Sequence, residues 1–334
     1  MYLPTQNERL PDKYRGGVVA IGNFDGVHLG HQALIAKAKS QSDANDCPLG
    51  VLTFEPHPRT FFRREEPVFR LSTPQGKAQL LKGLGVQFLD VTPFNLELAS
   101  LEAEAFVEQI LVERLGVSHV VTGYDFHFGK GRKGSPDTMR KLGEKLGFGV
   151  SIVEQVTDTD GIAPYSSSAV RTALRRGHVE KAAHQLGHWW SVLGTVVQGD
   201  QRGRTIGYPT ANIALDPGCE PHEGIYAVRV RLEEGGQKKC YPAAGYIGYR
   251  PTFETERMFL EVFIFDFDRD IYGQEIAVDF VKFIRPDKKF NGLDELLVQM
   301  EADCKIARKT LIDLASNDPM TGYQLGALQA NCEL

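Results

Sequence analysis

Long apolar runs are missing from this 334-residue chain. No stretch approaches the roughly eighteen uninterrupted apolar residues of a membrane span, so none is expected. Cysteine is scarce and scattered: Cys47, Cys219, Cys240, Cys304 and Cys332 are odd in number, and no pair has metal-ligand or redox-motif spacing. That pattern favours a reducing cytoplasm and no structural zinc site. Neither sign of charge dominates, since 38 Lys and Arg against 43 Asp and Glu leave a net charge of -5. A general nucleic-acid or membrane-surface binder is thereby disfavoured, although a local basic cleft is compatible with it. The start of the chain holds Asp12, Lys13 and Arg15 among prolines and has no apolar core of signal-peptide type. No repeat or low-complexity tract is present. What remains is 42% apolar and 24% charged, the composition of a soluble globular protein with room for two ordinary domains.

Two rhythms divide the chain. Over residues 17–185, short apolar runs at 18–22, 49–54, 86–91, 118–123 and 148–153 read as buried strands. Between them, residues 30–42, 74–84, 101–115 and 135–147 carry apolar positions at helical spacing. Such alternation predicts an α/β unit, a parallel sheet covered by helices. After residue 186, six strand-like segments crowd into about a hundred residues, with Gly, Pro or Asp clusters between most of them. Val228, Val230 and Leu232 alternate with Arg229 and Arg231, the pattern of a half-solvated antiparallel strand. The second half therefore reads as a small closed barrel followed by a helix at about 293–314 and a tail.

The segment GNFDGVHLGH, residues 22–31, carries the clearest chemistry. Gly22 ends the first strand, while Gly26 and Gly30 punctuate the turn that opens the next helix. Glycines let backbone approach a ligand, and a helix N-terminus offers N–H groups and a positive dipole end to phosphate. His28 and His31 lie three apart at that terminus, so both imidazoles can face one pocket. There they would donate to phosphate oxygens and stabilise charge as pyrophosphate leaves. The string resembles the HxGH signature of nucleotidylyltransferases. Two later segments suit the same site. Residues 123–134 follow the fourth strand and hold Asp125 among aromatics, then Lys130, Arg132 and Lys133. Residues 165–177 open a helix with three serines at its cap and Arg171 behind them.

A second constellation is GRTIGYPTANI, residues 203–213. Thr210 and Asn212 offer a hydroxyl and an amide at i, i+2, hard oxygen ligands of the kind Mg²⁺ takes alongside phosphates. Glu261 interrupts an otherwise apolar strand, where a carboxylate needs a partner. It is a candidate base for a substrate hydroxyl attacking a γ-phosphate. The competing reading of Glu261 is an outward-facing edge residue.

Taken together, residues 22–32, 53–58, 124–134, 166–171, 203–213, 224–228, 246–253 and 265–285 resemble the prokaryotic bifunctional riboflavin kinase/FAD synthetases. The resemblance implies a Rossmann-like nucleotidylyltransferase domain at 1–185, acting as FMN adenylyltransferase. It also implies a riboflavin kinase domain at 186–315, a six-stranded antiparallel β-barrel with a terminal helix; residues 316–334 are a tail outside the pattern. Riboflavin is phosphorylated by ATP to FMN, and FMN is then adenylylated by a second ATP to FAD and pyrophosphate. Carried over by motif, His28 and His31 are catalytic, with Gly22, Asn23, Phe24, Asp25, Gly26, Gly30, Ser166, Ser167 and Arg171 around the nucleotide. Phe54, Pro56, His57, Pro58, Tyr124, Asp125, Phe126 and Phe128 are the flavin side. In the kinase, Gly207 and Pro209 belong to the nucleotide loop, Thr210 and Asn212 to the magnesium site, and Glu261 is the general base. Mg²⁺ is the implied cofactor; ATP, riboflavin, FMN and FAD are substrates or products. No nucleic-acid or membrane partner is implied, and a weak homo-oligomer is compatible with the resemblance. The chain departs from the pattern at His127, where arginine is common, and at Ala169, where a charged side chain is frequent.

Other readings are weaker. Single-activity nucleotidylyltransferases share the histidines but lack the barrel with its Pro-Thr-Ala-Asn loop. Class I aminoacyl-tRNA synthetases need a lysine-rich signature loop that is absent from this sequence. A catalytically weak or regulatory flavin- or nucleotide-binding protein on the same fold would be expected to have lost the histidines, Asn212 or Glu261, and all are present.

Overall fold

Unbroken runs of Val, Ile and Ala make strands that are buried on both faces, and β1 (Val18–Ile21) is at most 1% exposed along its length. This computed structural model describes residues 1–5, 8–158, 163–199, 207–251 and 256–334. After β1 come α1 (Leu29–Ala44), β2 (Leu49–Glu55), α2 (Pro58–Phe62), α3 (Pro74–Gly83), β3 (Phe88–Pro93) and α4 (Leu96–Ser100). They are followed by α5 (Ala103–Phe106), β4 (His119–Gly123), α6 (Pro136–Leu146) and β5 (Gly149–Val153). The sheet is parallel in the order β3-β2-β1-β4-β5. Two expectations shift. The strand expected at 86–91 begins at Phe88, because Leu84, Gly85 and Val86 still hydrogen-bond back to Leu80, Leu81 and Lys82 and finish the turn after α3. The helix expected at 101–115 passes from α5 into a π-type winding over Val107–Leu115, closed by Gly116 at φ 61°.

The second half begins with α7 (Ser167–Arg175) and α8 (Val179–Leu186), then β6 (Ser191–Val197), β7 (Ala211–Ala214), β8 (Gly224–Glu234), β9 (Gln237–Pro251), β10 (Glu256–Ile264) and β11 (Glu275–Arg285). It ends with α9 (Leu293–Ser316) and α10 (Gln324–Ala330). The six strands close as β10-β7-β6-β11-β8-β9, all antiparallel, so the barrel has no open edge. Val196, Ile213, Tyr226, Val228, Ile247, Leu260, Val278 and Phe280 fill it. By packing, Met1–Val68 with Lys77–Tyr165 form one compact unit, and Phe69–Gly76 with Ser166–Leu334 form the other. α7 and α8 therefore fold with the barrel, and Val170, Leu174, Val179 and Leu186 join its core.

Three expectations are corrected at the barrel wall and the chain end. β8 is not half-solvated: Arg231 is 6% exposed, because both arginines are turned onto the wholly buried carboxylate of Asp279. The segment after residue 315 is no loose tail. Within α10, Gln329 is 1% exposed; it accepts from the Trp189 N–H at 2.8 Å and donates to Asp279 at 2.8 Å and to Ser191 at 2.9 Å. Arg231 also donates to the carbonyl oxygen of Leu334, the last residue. Finally, Cys240 and Cys332 are joined as a disulfide where the scattered cysteines suggested none.

Burial pushes the Asp279 carboxyl up, but Arg231, Arg229 and Ser191 outweigh it and hold the group below the usual carboxylate range. A depressed native pKa contributes stability that is present above the unfolded value near 3.8 and is lost as pH falls through the native one. Denaturant unfolding followed by the fluorescence of Trp189 and Trp190, the chain's two tryptophans, is expected to show the barrel weakening as pH falls below about 4. Asp279→Asn is expected to cost about 3–5 kcal/mol at pH 7, by stranding two arginines, and to flatten that acid limb.

Candidate functional sites

Sheet order decides where the first site lies. Successive strands run outward from β1 through β2 to β3, then return to its other side as β4 and β5, so the order reverses between β1 and β4. Ligands of open α/β sheets bind at the carboxyl end of such a reversal. Ile21, the last residue of β1, is in register with Leu52 of β2 and Thr122 of β4. The loops after residues 21, 55 and 123 therefore leave the same end of the sheet.

The turn after β1 is strained and held by burial. Phe24 (φ 49°) and Val27 (φ 46°) take the left-handed conformation, which a β-branched residue adopts only under constraint. Both side chains are 0% exposed, and Thr53 of β2 donates to the Asn23 carbonyl at 3.0 Å. The fixed turn delivers His28 to the head of α1, where its Nδ1 accepts from the His31 N–H at 3.4 Å. An imidazole that accepts at Nδ1 carries its proton on Nε2, so the outer nitrogen is a donor. The His28 and His31 rings stack at 3.7 Å, and Phe24 packs on His31 at 5.1 Å. The arrangement is a donor pair on a helix N-terminus, suited to oxyanions. Gly22, Asp25 and Gly26 lie in this turn, and Gly30 is in the first turn of α1.

Beside it, Phe54 is the last residue but one of β2 and is 8% exposed, and the Glu55–Pro56 bond is cis. His57 caps α2 by accepting from the Arg59 N–H at 3.1 Å, and Pro58 is the first helical residue. In the loop after β4, Tyr124 is 43% exposed and Asp125 is exposed, whereas Phe128 is 6% exposed. Phe126 stacks on Phe128 at 5.6 Å. Phe54 and Phe128 are therefore core residues beneath the surface. Sequence reasoning missed Phe61, Phe62 and Phe94, whose rings meet edge-on at 5.2–5.7 Å and extend the aromatic patch from Phe54 to the surface. A run of two phenylalanines at the end of so short a helix was the available signal. His127, a departure from the expected motif, donates from Nδ1 to the Gly134 carbonyl at 3.2 Å and ties the basic loop shut.

Ser166 caps α7, its Oγ accepting from the Ala169 N–H at 3.2 Å; Ser167 is the first residue of that helix. Arg171 donates from Nε to the Phe69 carbonyl at 2.6 Å, inside the barrel unit. All three belong to that unit and not to the sheet unit that carries the histidines.

Strand register builds the second site. Asn212 of β7 and Tyr246 of β9 stand directly opposite Glu261 of β10, one on each side. Their neighbours Ile213, Leu260 and Ile247 are at most 1% exposed inside the barrel, so Asn212, Glu261 and Tyr246 line its outer face. Glu261 faces outward, but in a closed barrel its strand is not an edge. Asn212 is 7% exposed; its amide donates to the Thr210 carbonyl at 3.4 Å, and a Cβ at Gly199 would strike it. Gly207 and Pro209 lead into this corner, while residues 203–206 of the motif lie outside the described residues, as do Thr252 and Phe253. Among the described residues, no cluster of His, Cys, Asp and Glu could hold a metal by itself. A hydroxyl and an amide beside a carboxylate instead suit a cation brought in with substrate phosphates.

Comparison with known proteins agrees with this division. The FAD synthetase family model matches residues 10–168, and the riboflavin kinase family model matches residues 186–311. A bifunctional riboflavin kinase/FMN adenylyltransferase of Bacillus subtilis is 41% identical over 310 residues, covering 91% of this chain and 95% of that one. The Escherichia coli K12 enzyme of the same description is 38% identical over 294 residues, covering 88% and 92%. A solved structure described as a macrolide-efflux protein from Streptococcus pneumoniae matches at a TM-score of 0.78 and 34% identity, over 88% of this chain and 94% of that one. Among the described residues of this chain, no helix is long and apolar enough to cross a membrane.

A Cβ at Gly30 would stand 3.1 Å from the His28 ring and 3.4 Å from the Tyr165 carbonyl. Gly30→Ala is therefore expected to displace that ring and weaken ATP binding about tenfold, roughly 1.4 kcal/mol. Stability should change by no more than about 1 kcal/mol, since alanine suits a helix. Titration calorimetry with ATP, beside a denaturant melt, checks both; unchanged affinity would count against the histidine site.

Proposed function

The chain belongs to the bifunctional riboflavin kinase/FMN adenylyltransferase family, and we propose that the two constellations described above are its two active sites. The protein phosphorylates riboflavin with ATP to FMN and transfers AMP from ATP to FMN, releasing FAD and pyrophosphate. In this reading residues 1–185 carry adenylyl transfer, residues 186–315 carry phosphorylation, and residues 316–334 brace the barrel. One observation carries the reading: the histidine pair capping α1 and the Asn212–Glu261 register pair occur on one chain.

In the kinase, Glu261 takes the proton from the riboflavin hydroxyl as its oxygen attacks the γ-phosphorus of ATP. The bond from the γ-phosphorus to the bridging oxygen breaks, and ADP leaves. Thr210 and Asn212 would hold Mg²⁺ by their oxygens together with the nucleotide, whose loop includes Gly207 and Pro209. Bound there, the cation would neutralise charge on the phosphates.

In the adenylyltransferase, a phosphate oxygen of FMN attacks the α-phosphorus of ATP, and the bond from that phosphorus to the α,β-bridging oxygen breaks. No protein nucleophile is needed. Charge accumulates on pyrophosphate, and the Nε2–H of His28, the His31 imidazole and the N-terminus of α1 stabilise it. Gly22, Asn23, Phe24, Asp25, Gly26 and Gly30 shape the nucleotide side. The flavin lies on the aromatic patch, touching Tyr124, Asp125 and Phe126 and the Pro56–Pro58 corner, with Phe54 and Phe128 as its buried support. For Ser166, Ser167 and Arg171 the phosphate role rests on their sequence motif. ATP and flavin as substrates support a cytoplasmic enzyme that works on small molecules.

Chromatography of riboflavin, ATP and Mg²⁺ incubated with the protein is expected to show FMN followed by FAD. Glu261→Gln should slow FMN formation about 10²–10⁴-fold and leave FAD formation from supplied FMN intact. His28→Ala should do the reverse, slowing adenylyl transfer by about 10²–10³. Glu261→Gln at the native rate sinks the base assignment, and joint loss of both activities in either variant sinks the two-site reading.

A further inference from the structure

The row that holds Glu261 does not end at Asn212 and Tyr246. Along paired residues it runs from Val197 through Asn212, Glu261 and Tyr246 to Ile225 and Arg285, crossing all six strands. Two residues past its end, Asp287 comes back to meet Tyr246. The phenol donates to Asp287 Oδ2 at 3.3 Å, while Asp287 Oδ1 accepts from the Lys288 N–H at 2.8 Å, so both carboxylate oxygens are engaged.

Two glycines make this contact possible. Gly224 opens β8 at φ 142°, and a Cβ there would collide with the Arg285 carbonyl, so only glycine lets the chain leave β11 across the start of β8. Gly248 lies two residues beyond Tyr246 on the same face, and a Cβ there would collide with the phenolic oxygen. Phe259, on that face too, closes the other side of the ring at 5.7 Å, edge-on. The tyrosine is thus boxed in by β9, β10 and the segment after β11.

Its electrostatic setting points the same way. Partial burial, then the charge of Asp287 and its hydrogen bond, then Glu223 and Glu261, push the Tyr246 phenol up to about 12. It therefore stays a neutral donor beside three carboxylates. A neutral donor committed to Asp287 cannot also bind Glu261. Its ring stands across from Glu261 in the row, on the same outer face of the barrel.

We propose that Tyr246, held by Asp287, is a positioning residue for the phosphorylation of riboflavin. The tie fixes the ring beside Glu261 and so fixes the direction in which the Glu261 carboxylate meets the substrate hydroxyl. This rests on Glu261 being the base. Its reach is the kinase alone.

The test is a double-mutant cycle on the full-length protein with steady-state kinetics of FMN formation. Tyr246→Phe keeps the ring and removes the tie; Asp287→Ala removes the same tie from an exposed residue, where misfolding is not an issue. Each is expected to lower kcat about tenfold at unchanged KM for ATP, because misplacing a general base is felt in the chemical step. The double variant should be no slower than the slower single one. FAD formation from FMN by the same preparations should not change. A native kcat in Tyr246→Phe or Asp287→Ala, or a hundredfold loss in the double variant, overturns the proposal. Glu261→Gln run alongside separates the two ideas. If it keeps the native rate, the base reading falls. If it is slow while Tyr246→Phe is native, only the positioning role falls.

Discussion

A carboxylate without access to water must be surrounded by donors, and Asp279 shows how far a fold goes to satisfy one. The residue lies in β11 with no exposed surface. Arg229 and Arg231 reach it from β8, Ser191 from β6 and Gln329 from the last helix. The same Gln329 hydrogen-bonds both backbone groups of Trp189, at the entry to the barrel. Two neighbouring strands and the chain terminus are therefore anchored on one charge. Removing any one donor leaves the rest of the group buried with less compensation. This explains why residues 316–334, which lie beyond the match to the riboflavin kinase family model at 186–311, are folded against the barrel.

The sheet unit depends on a different constraint. There the buried rings and methyls of Phe24 and Val27 hold the backbone in a conformation that such residues avoid. The strain is placed where it aims His28 at the head of α1. Hydrophobic burial is exchanged for a pre-set arrangement of donors, which in the proposed reaction needs no rearrangement when charge develops on a leaving phosphate.

The two sites use their elements differently. In the sheet unit the proposed chemistry is on loops leaving the carboxyl ends of parallel strands, and side chains come from sequence segments far apart because neighbouring strands are far apart in sequence. In the barrel the proposed chemistry is on the strands. Asn212, Glu261 and Tyr246 sit in one row because antiparallel register puts them opposite one another. A closed barrel cannot slip by one residue without turning that row inward, so the geometry of the site and the integrity of the core are one requirement.

Much of this was legible in the residues alone. Alternating strand and helix patterns, the six-strand cluster and the histidine turn all depend on local periodicity and on steric demands a few residues long, and local sequence encodes these directly. His28 and His31 at a helix start, Thr210 and Asn212 as a pair and Glu261 as an oddity in an apolar strand are of this kind. Pairings between distant segments were not legible. The alternation of Arg229 and Arg231 with valines says that they point out of the barrel, yet what covers them is Asp279 and the chain end, 48 to 103 residues away. Cys240 and Cys332 are 92 residues apart, a separation that spacing rules cannot read. Tyr246 looked like any strand tyrosine until register set it against Glu261 and two glycines let Asp287 reach it. The sequence by itself determined which elements form and which residue types carry charge, because those follow from short-range sterics and solvation. Only the tertiary structure decided which of them meet, because contact between distant residues is set by strand order and register.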